Sequence, residues 1–167
     1  PALLLNFTFF LYPLIRTIWM SFYKWTVLGN SKFIGMENYD KLMSDPQFWQ
    51  SFKNIVIYTF MVTPMIFMVA FVLAIMLNRK FKGVNFFRSV YFLPVTFSFV
   101  VASLIWMWMY NEMYGIINFL FKYVGLIDQP VAWLGKTWLA RISVSVMIVW
   151  KTAGFSMVLL LAGLQGI

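Results

Sequence analysis

Residues 54–77 read NIVIYTFMVTPMIFMVAFVLAIML, and this stretch decides the fold class of the chain. It contains no charged residue. Because a helix rises about 1.5 Å per residue, about 20 apolar residues cross the roughly 30 Å hydrocarbon core of a bilayer. Apolar side chains fall on every side of this helix, a pattern typical of a membrane span or a deep core rather than a surface helix. The stretch therefore predicts a transmembrane α-helix.

Three further stretches pass the same test, each with at most two charged residues. The sequence therefore predicts an all-α, polytopic transmembrane helical bundle of about four spans: 1–23, 54–77, 89–110 and 140–164. A shorter segment near 114–124 has its apolar residues on one helical face, which favours a short helix lying at the membrane interface. Asp45-Pro46 is typical of a helix start, because Asp caps free N–H groups and Pro suits the first helical position. A helix starting there would run into the second span.

Composition supports a lipid environment and excludes several kinds of site. Hydrophobic residues make up 62% of the chain and charged residues 11%, whereas soluble domains carry about 25% charged residues. Cysteine and histidine are absent, which excludes disulfides, Cys/His zinc sites and a histidine general base. The acidic residues all lie in the connections between predicted spans, so no dry carboxylate pair for catalysis is expected. The net charge is +8, but the basic residues do not form a stripe interleaved with aromatic residues. This distribution disfavours nucleic-acid binding.

The distribution of charge predicts how the chain is oriented in the membrane. The connection 78–88 reads NRKFKGVNFFR and carries four basic residues and no acid. Cytoplasmic loops are enriched in Lys and Arg, so we expect this connection in the cytoplasm and connections 24–53 and 111–138 outside. The residues that determine this topology are Arg79, Lys80, Lys82 and Arg88.

Lys151, next to Trp150 near the middle of the fourth predicted span, is the first candidate for function. A charge at this depth costs several kcal/mol, about 2.5–3.5 on insertion scales, so such residues face a bundle interior or a water-filled path. One hypothesis is a hydrogen-bond donor in a solute pathway, with Trp150 as a flat stacking surface. The alternatives are a structural pair with a neighbouring subunit, or a side chain that snorkels to the interface.

Trp106 and Tyr110 are the second pair of candidates, at the outer end of the third predicted span. They are four residues apart and share a helical face, whereas Trp108 points elsewhere. They form either an aromatic belt at the membrane surface or a lining on which a sugar ring stacks. Pro64 and Pro94 lie inside predicted spans, where proline can kink a helix, for gating or for packing.

Several short strings occur together in an order typical of one family. The predicted outer connection contains Phe33-Ile34-Gly35-Met36-Glu37-Asn38-Tyr39, which resembles the F-x-G-x-x-N-Y segment of ABC-type sugar permeases of the maltose/glycerol-3-phosphate uptake class. The other strings, in chain order, are Asp45-Pro46-Gln47-Phe48-Trp49, Asn78-Arg79-Lys80, Phe86-Phe87-Arg88, Phe92-Leu93-Pro94, Gly154-Phe155 and Leu161-Ala162-Gly163-Leu164-Gln165. Each string alone is weak, and their shared order and spacing carry the resemblance over nearly the whole chain.

This resemblance implies an importer subunit and its partners. Residues 1–53 would form an N-terminal transmembrane helix with an outer loop, and residues 54–167 part of a MetI-like ABC importer transmembrane domain. The implied partners are a second permease subunit, two cytoplasmic ATP-binding subunits and an extracytoplasmic solute-binding protein, in a bacterial or archaeal inner membrane. No cofactor is expected in this chain, since ATP and Mg would bind the partner subunits. The family's E-A-A…G loop follows the L-A-G-L-Q string beyond Ile167, so we expect the last part of the domain to be missing here.

Three other classes stay open at this point. A channel or secondary carrier would need no ATPase, a membrane-embedded enzyme would need convergent reactive side chains in the spans, and a scaffold would move no solute.

Overall fold

The computed structural model describes residues 1–25, 31–79 and 81–166, and these are mainly helical. The helices and strands are, in order, α1 (Ala2–Asn6), a π-helical turn (Phe7–Leu11), α2 (Tyr12–Met20), β1 (Tyr23–Lys24), β2 (Lys32–Phe33), α3 (Glu37–Ser44), α4 (Pro46–Leu77), α5 (Val84–Thr96), α6 (Phe99–Met109), α7 (Ile116–Tyr123) and α8 (Thr137–Gln165). The chain divides into two compact units, Pro1–Ile55 and Val56–Ile167. The functional division proposed at residue 53 stays a prediction.

The first predicted span forms one continuous helix over Ala2–Met20, with the π-helical turn inside it. Pro13 follows this turn, and it has no N–H to donate to the preceding turn. A wider π turn is one way in which a helix accommodates such a missing bond. The helix ends at Met20, three residues before the predicted end at Tyr23, because the chain there enters a hairpin.

The hairpin was not predicted, and it explains part of the F-x-G-x-x-N-Y segment. Strands β1 and β2 pair antiparallel, with Tyr23 opposite Phe33 and their rings 5.2 Å apart. Gly35 has φ +59°, in the left-handed region that glycine adopts without strain. The Asn38 side chain then donates to the backbone oxygens of Ser21 at 2.7 Å and of Tyr23 at 3.1 Å. The glycine and the asparagine of the segment thus hold the end of the first helix against α3.

Helix α3 is short and exposed. The Lys41 ammonium donates to Glu37 Oε1 at 2.6 Å, one turn apart. This hydrogen bond, with the charge of Lys41, holds the pKa of the Glu37 carboxyl below its ordinary value. Since both side chains are solvent-exposed, the pair contributes little to stability.

Helix α4 begins at Pro46 rather than at Asn54, as the Asp45-Pro46 pattern indicated. The Asp45 carboxylate accepts a hydrogen bond from the Gln47 N–H at 2.8 Å, which caps the helix start. The helix continues through Pro64 to Leu77. It is the most apolar of the candidate spans.

The third predicted span, 89–110, consists of two helices rather than one. The structure divides it into α5 and α6, which are bent by 100° at the break between them. Phe97 and Ser98 are extended, and the Ser98 hydroxyl accepts the N–H of Val101 at 3.2 Å, so a new helix starts there. Pro94 lies in the last turn of α5. Proline has no backbone N–H to donate, and its ring crowds the preceding turn, so it disfavours continuation of the helix. The fourth span is confirmed as α8, and the segment near 114–124 forms the short helix α7; its location at the membrane interface stays a prediction.

Small residues bring the helices of the second unit together. One buried cluster contains Ala70, Ala74 and Leu77 of α4 against Met157 and Leu161 of α8. A second contains Val62 of α4 with Val149 and Ala153 of α8. Alanine at an interface allows helix backbones to approach closely, which is how helices pack in lipid.

The apolar helices make this a multi-pass membrane protein. Three helices of the described residues, Ala2–Met20, Pro46–Leu77 and Thr137–Gln165, are long and apolar enough to cross a bilayer, and the bent pair α5–α6 adds a fourth span if counted as one. The orientation inferred from the basic connection stays a prediction.

Candidate solute pathway beside the broken helix

Lys151 lies in the middle of α8, and its side chain is directed at the break in the third span. Its ammonium donates to the backbone oxygen of Val95 at 3.3 Å and lies 4.5 Å from the centre of the Phe99 ring. Val95 belongs to the last turn of α5, whose carbonyls have no helical partner and carry the negative end of the helix dipole. Lys151, which is only 6% exposed, therefore caps α5 from another helix. Its partners lie within this chain, so neither a pair with a neighbouring subunit nor snorkelling is needed to explain its burial.

Trp150 lies against the same break through its ring. It stacks on Phe97, the extended residue of the break, at a ring distance of 6.5 Å and an interplanar angle of 20°. Trp106 meets Trp150 edge-on at 5.7 Å, and Tyr110 follows Trp106 at 5.2 Å. Phe97, Trp150, Trp106 and Tyr110 thus form one continuous set of ring contacts, here called the aromatic series.

The aromatic series contains one unsatisfied polar atom. Trp106 Nε1 is buried and has no hydrogen-bond acceptor within residues 1–25, 31–79 and 81–166. A buried donor without an acceptor costs about 1–3 kcal/mol, so such an atom needs an explanation. Trp108, in contrast, is 64% exposed, in agreement with its predicted position on a different face.

Tyr110 connects the aromatic series to the connection 111–138. Its hydroxyl donates to the Ser143 carbonyl in α8 at 3.0 Å, and its ring lies 6.0 Å from that of Trp133. The Ser143 hydroxyl in turn donates to the Trp133 carbonyl at 3.3 Å. Since Tyr110 is buried by these contacts, it is part of a packed site rather than of an aromatic belt in contact with headgroups.

Asn118 organises this connection, and sequence analysis did not single it out. Its amide oxygen accepts from the Val131 N–H at 3.1 Å and from Trp133 Nε1 at 2.9 Å. Its amide nitrogen donates to the carbonyls of Val131 at 3.1 Å and Glu112 at 3.2 Å. In the sequence, Asn118 is noticeable only as an asparagine within a short helix that is otherwise rich in apolar residues. The sequence does not show which groups it bonds.

Gly154 allows α5 and α8 to touch through their backbones. A Cβ atom at this position would lie 2.1 Å from the Tyr91 carbonyl oxygen and 3.1 Å from the Phe92 Cα. Gly154 is three residues after Lys151, so it lies on the same side of α8. The glycine therefore sets the helix distance at which the Lys151 ammonium reaches the Val95 carbonyl.

The basic connection is only partly described. Lys80 lies outside the described residues, and Arg79 and Lys82 are exposed. Arg88 has a structural contact in addition to its charge, because its guanidinium donates to the Leu77 carbonyl at 2.8 Å and so caps the end of α4. Among the described residues no group of three or more Asp, Glu, His or Cys side chains is placed to hold a metal ion.

Together, the long apolar helices and the broken span define an integral membrane protein with several spans. A search of solved structures finds the crystal structure of a bacterial ABC transporter that imports the acidic polysaccharide alginate, with a TM-score of 0.82 and 23% identity over 99% of this chain and 56% of that one. The chain therefore has the fold of the membrane subunit of an ABC importer.

The chain is also similar in sequence to several permeases of known solute class. The chain is 35% identical to the lactose transport permease LacF of Rhizobium radiobacter, covering 100% of this chain and 56% of the relative. It is 32% identical to a probable ABC transporter permease of Pyrococcus horikoshii, covering 100% and 58%, and 31% identical to the trehalose/maltose permease MalF of Thermococcus litoralis, covering 100% and 56%. No protein-family model matches. The resemblance to ABC sugar permeases is thus confirmed over the full chain, which spans little more than half the length of these relatives.

Proposed function

We propose that this chain forms part of the membrane translocation pathway of an ABC importer for a carbohydrate or a related solute. The observation that carries the proposal is the similarity over the whole chain to permeases named for lactose and for trehalose/maltose. The aromatic series beside the broken span supports it, because an aromatic face can stack on the C–H face of a sugar ring.

The proposed role of the aromatic series is to contact the solute in one state of the transport cycle. In the described state its rings contact one another, and Trp106 Nε1 has no acceptor. A solute hydroxyl could accept from this N–H once Trp150 and Trp106 separate. Such binding would remove the cost of the unsatisfied donor and would favour the rearranged state. Lys151 is proposed to hold the break open to the solute while remaining bonded to Val95.

The remaining steps of the proposed mechanism require other subunits. The proposed partners are a second permease subunit, two cytoplasmic ATP-binding subunits and an extracytoplasmic solute-binding protein, in a bacterial or archaeal inner membrane. A solved relative of the same fold is described as an alginate transporter in complex with a periplasmic protein bound to alginate pentasaccharide, which supports this kind of assembly. ATP and Mg²⁺ would act on the partner subunits, and the permease would bind, reorient and release the solute without covalent chemistry.

The test is uptake and ATP hydrolysis by the complete permease, reconstituted with its partners in lipid vesicles. A panel of monosaccharides and oligosaccharides is offered with the solute-binding protein. We expect at least one sugar to raise the ATPase rate and to accumulate inside. Uptake without any nucleotide-binding subunit would instead indicate a channel or carrier, and a complete absence of stimulation would indicate a scaffold.

Trp150→Ala tests the pathway, with Trp108→Ala as the matched control. Losing the ring at position 150 should reduce apparent solute affinity by about tenfold, which corresponds to about 1.4 kcal/mol. Trp108 is exposed on another face, so its loss should leave affinity unchanged. Equal affinities for the two variants would remove Trp150 from the pathway.

A further inference from the structure

An apolar cavity lies between the end of α4 and the first half of α5, beside the basic connection. Its volume is ≈ 210 Å³, and its lining is Leu73, Met76, Leu77, Phe81, Phe87 and Tyr91. None of these side chains carries a charge. A cavity with an apolar lining holds apolar groups rather than water.

Basic residues adjoin, in the chain, the residues that line this cavity. Leu77 lines the cavity, and its carbonyl oxygen accepts a hydrogen bond from the Arg88 guanidinium at 2.8 Å. Arg79 follows Leu77 by two residues, and Lys82 follows Phe81 directly. No acidic residue occurs between Asp45 and Glu112, so the chain itself supplies no local carboxylate for these cations.

Arg88 also has a donor without a partner. Its Nε is buried, and no acceptor contacts it in the part of the chain that the structure describes. A guanidinium presents several N–H donors in a planar fork that matches phosphate oxygens. The neighbouring donor Nη2 is used by the Leu77 carbonyl, so Nε is left without an acceptor on the same edge of the fork.

From this arrangement we infer that the α4–α5 cavity binds an anionic phospholipid, with an acyl chain among the six lining side chains and the phosphate near Arg79, Lys82 and Arg88. Charge complementarity and the apolar lining point to the same occupant, because a basic pocket between helices next to an apolar groove fits a lipid headgroup and its tail. A soluble phosphate would use only the charges, and an acidic protein segment would leave the apolar lining exposed.

The test uses the complete importer in nanodiscs that contain phosphatidylglycerol and phosphatidylcholine in equal amounts. Lipids that remain bound after detergent extraction are counted by native mass spectrometry. We expect phosphatidylglycerol to be retained in preference to phosphatidylcholine. Arg79→Gln and Lys82→Gln, made singly so that the connection keeps three basic residues, should each weaken its retention by about fivefold.

Further variants separate the two parts of the site. Met76→Trp, which fills the cavity and changes no charge, should also reduce phosphatidylglycerol retention. Lys136→Gln, an exposed basic residue at the start of α8, is the matched charge control and should change nothing. Arg88→Gln is not the primary variant, since it also removes the cap on α4.

Three results would overturn the inference. Equal retention of both lipids would show that the headgroup is not recognised. Displacement of phosphatidylglycerol by glycerol phosphate, which has no acyl chain, would show a soluble-anion site. Absence of retained lipid, together with no effect of Met76→Trp, would show that another part of the protein covers the cavity.

Discussion

Lys151 shows how a single charge is held inside a membrane span. Its position in α8 would be costly if the ammonium faced lipid, but it lies at the C-terminal end of α5 and over the Phe99 ring. The charge is thus paired with backbone carbonyl dipoles rather than with a carboxylate. This pairing ties α8 to the break and explains why Trp150, the neighbouring residue, contacts Phe97.

Lys151→Met should lower uptake without lowering the amount of permease in the membrane. The change removes the donor to Val95 and retains most of the apolar stem, and an unsatisfied buried carbonyl costs about 1–3 kcal/mol. Uptake per inserted permease and thermal unfolding of the purified complex are the measurements, and both should fall. Wild-type values in both assays would exclude a role for Lys151 in the break and in the pathway.

Gly154→Ala should destabilise the complex, whereas Gly163→Ala in the same helix should not. At position 154 a methyl group would overlap the Tyr91 carbonyl, and α5 would have to move away from α8. At position 163 nothing lies within 4 Å of an added Cβ, and alanine is about 1 kcal/mol better than glycine in a helix. Thermal unfolding of the two variants is the measurement, and equal melting temperatures would contradict the close contact of the two helices.

Asn118→Leu should loosen the segment 128–133. The substitution preserves approximate size but leaves the Val131 N–H and Trp133 Nε1 without their acceptor. Both groups are part-buried, so the loss is below the roughly 1–3 kcal/mol that a fully buried group would cost. We expect faster proteolysis within this segment, with Asn85→Leu, an exposed asparagine in α5, as the control. Unchanged cleavage would show that the segment is held by its aromatic contacts alone.

At the scale of elements, the break between α5 and α6 is the feature that organises the candidate pathway. Two neighbouring residues of the break, the extended Phe97 and the Ser98 cap, meet the Lys151 ammonium of α8 there. The hydropathy of 89–110 predicted a single span. Apolar content indicates that a segment lies in lipid, but it does not show whether the helix axis bends within that segment. Pro94 gave a sequence signal for a kink, but not for the 100° bend between α5 and α6.

Ser98→Ala should weaken the start of α6. The hydroxyl accepts the N–H of Val101, and loss of such an N-cap costs about 1 kcal/mol. Ser103→Ala is the control, because Ser103 lies inside α6 and its hydroxyl donates to the Phe99 carbonyl one turn earlier. Thermal unfolding should show a lower melting temperature for Ser98→Ala only. Equal effects of the two changes would mean that the hydroxyl at position 98 is not the cap.

At the scale of the whole molecule, the remaining question is orientation in the membrane. The four basic residues of 78–88 predict that this connection is cytoplasmic and that 111–138 lies outside. A reporter fused at Gly83 should therefore be active as a cytoplasmic fusion, and one fused at Gly125 as an external fusion. A periplasmic result at Gly83 would contradict the topology and place the proposed lipid site in the outer leaflet.

The amino-acid sequence alone determined the membrane class, the approximate positions of the spans and the resemblance to sugar permeases, because hydropathy, charge and short strings are local properties of the chain. It also marked Trp106, Tyr110, Trp150 and Lys151, and their roles in the pathway stay a prediction. Only the tertiary structure brought Lys151 to Val95, Trp150 to Phe97 and Asn118 to Trp133. Contacts of this kind join residues far apart in the chain, and they depend on where helices bend and how closely they pack, which periodicity does not encode.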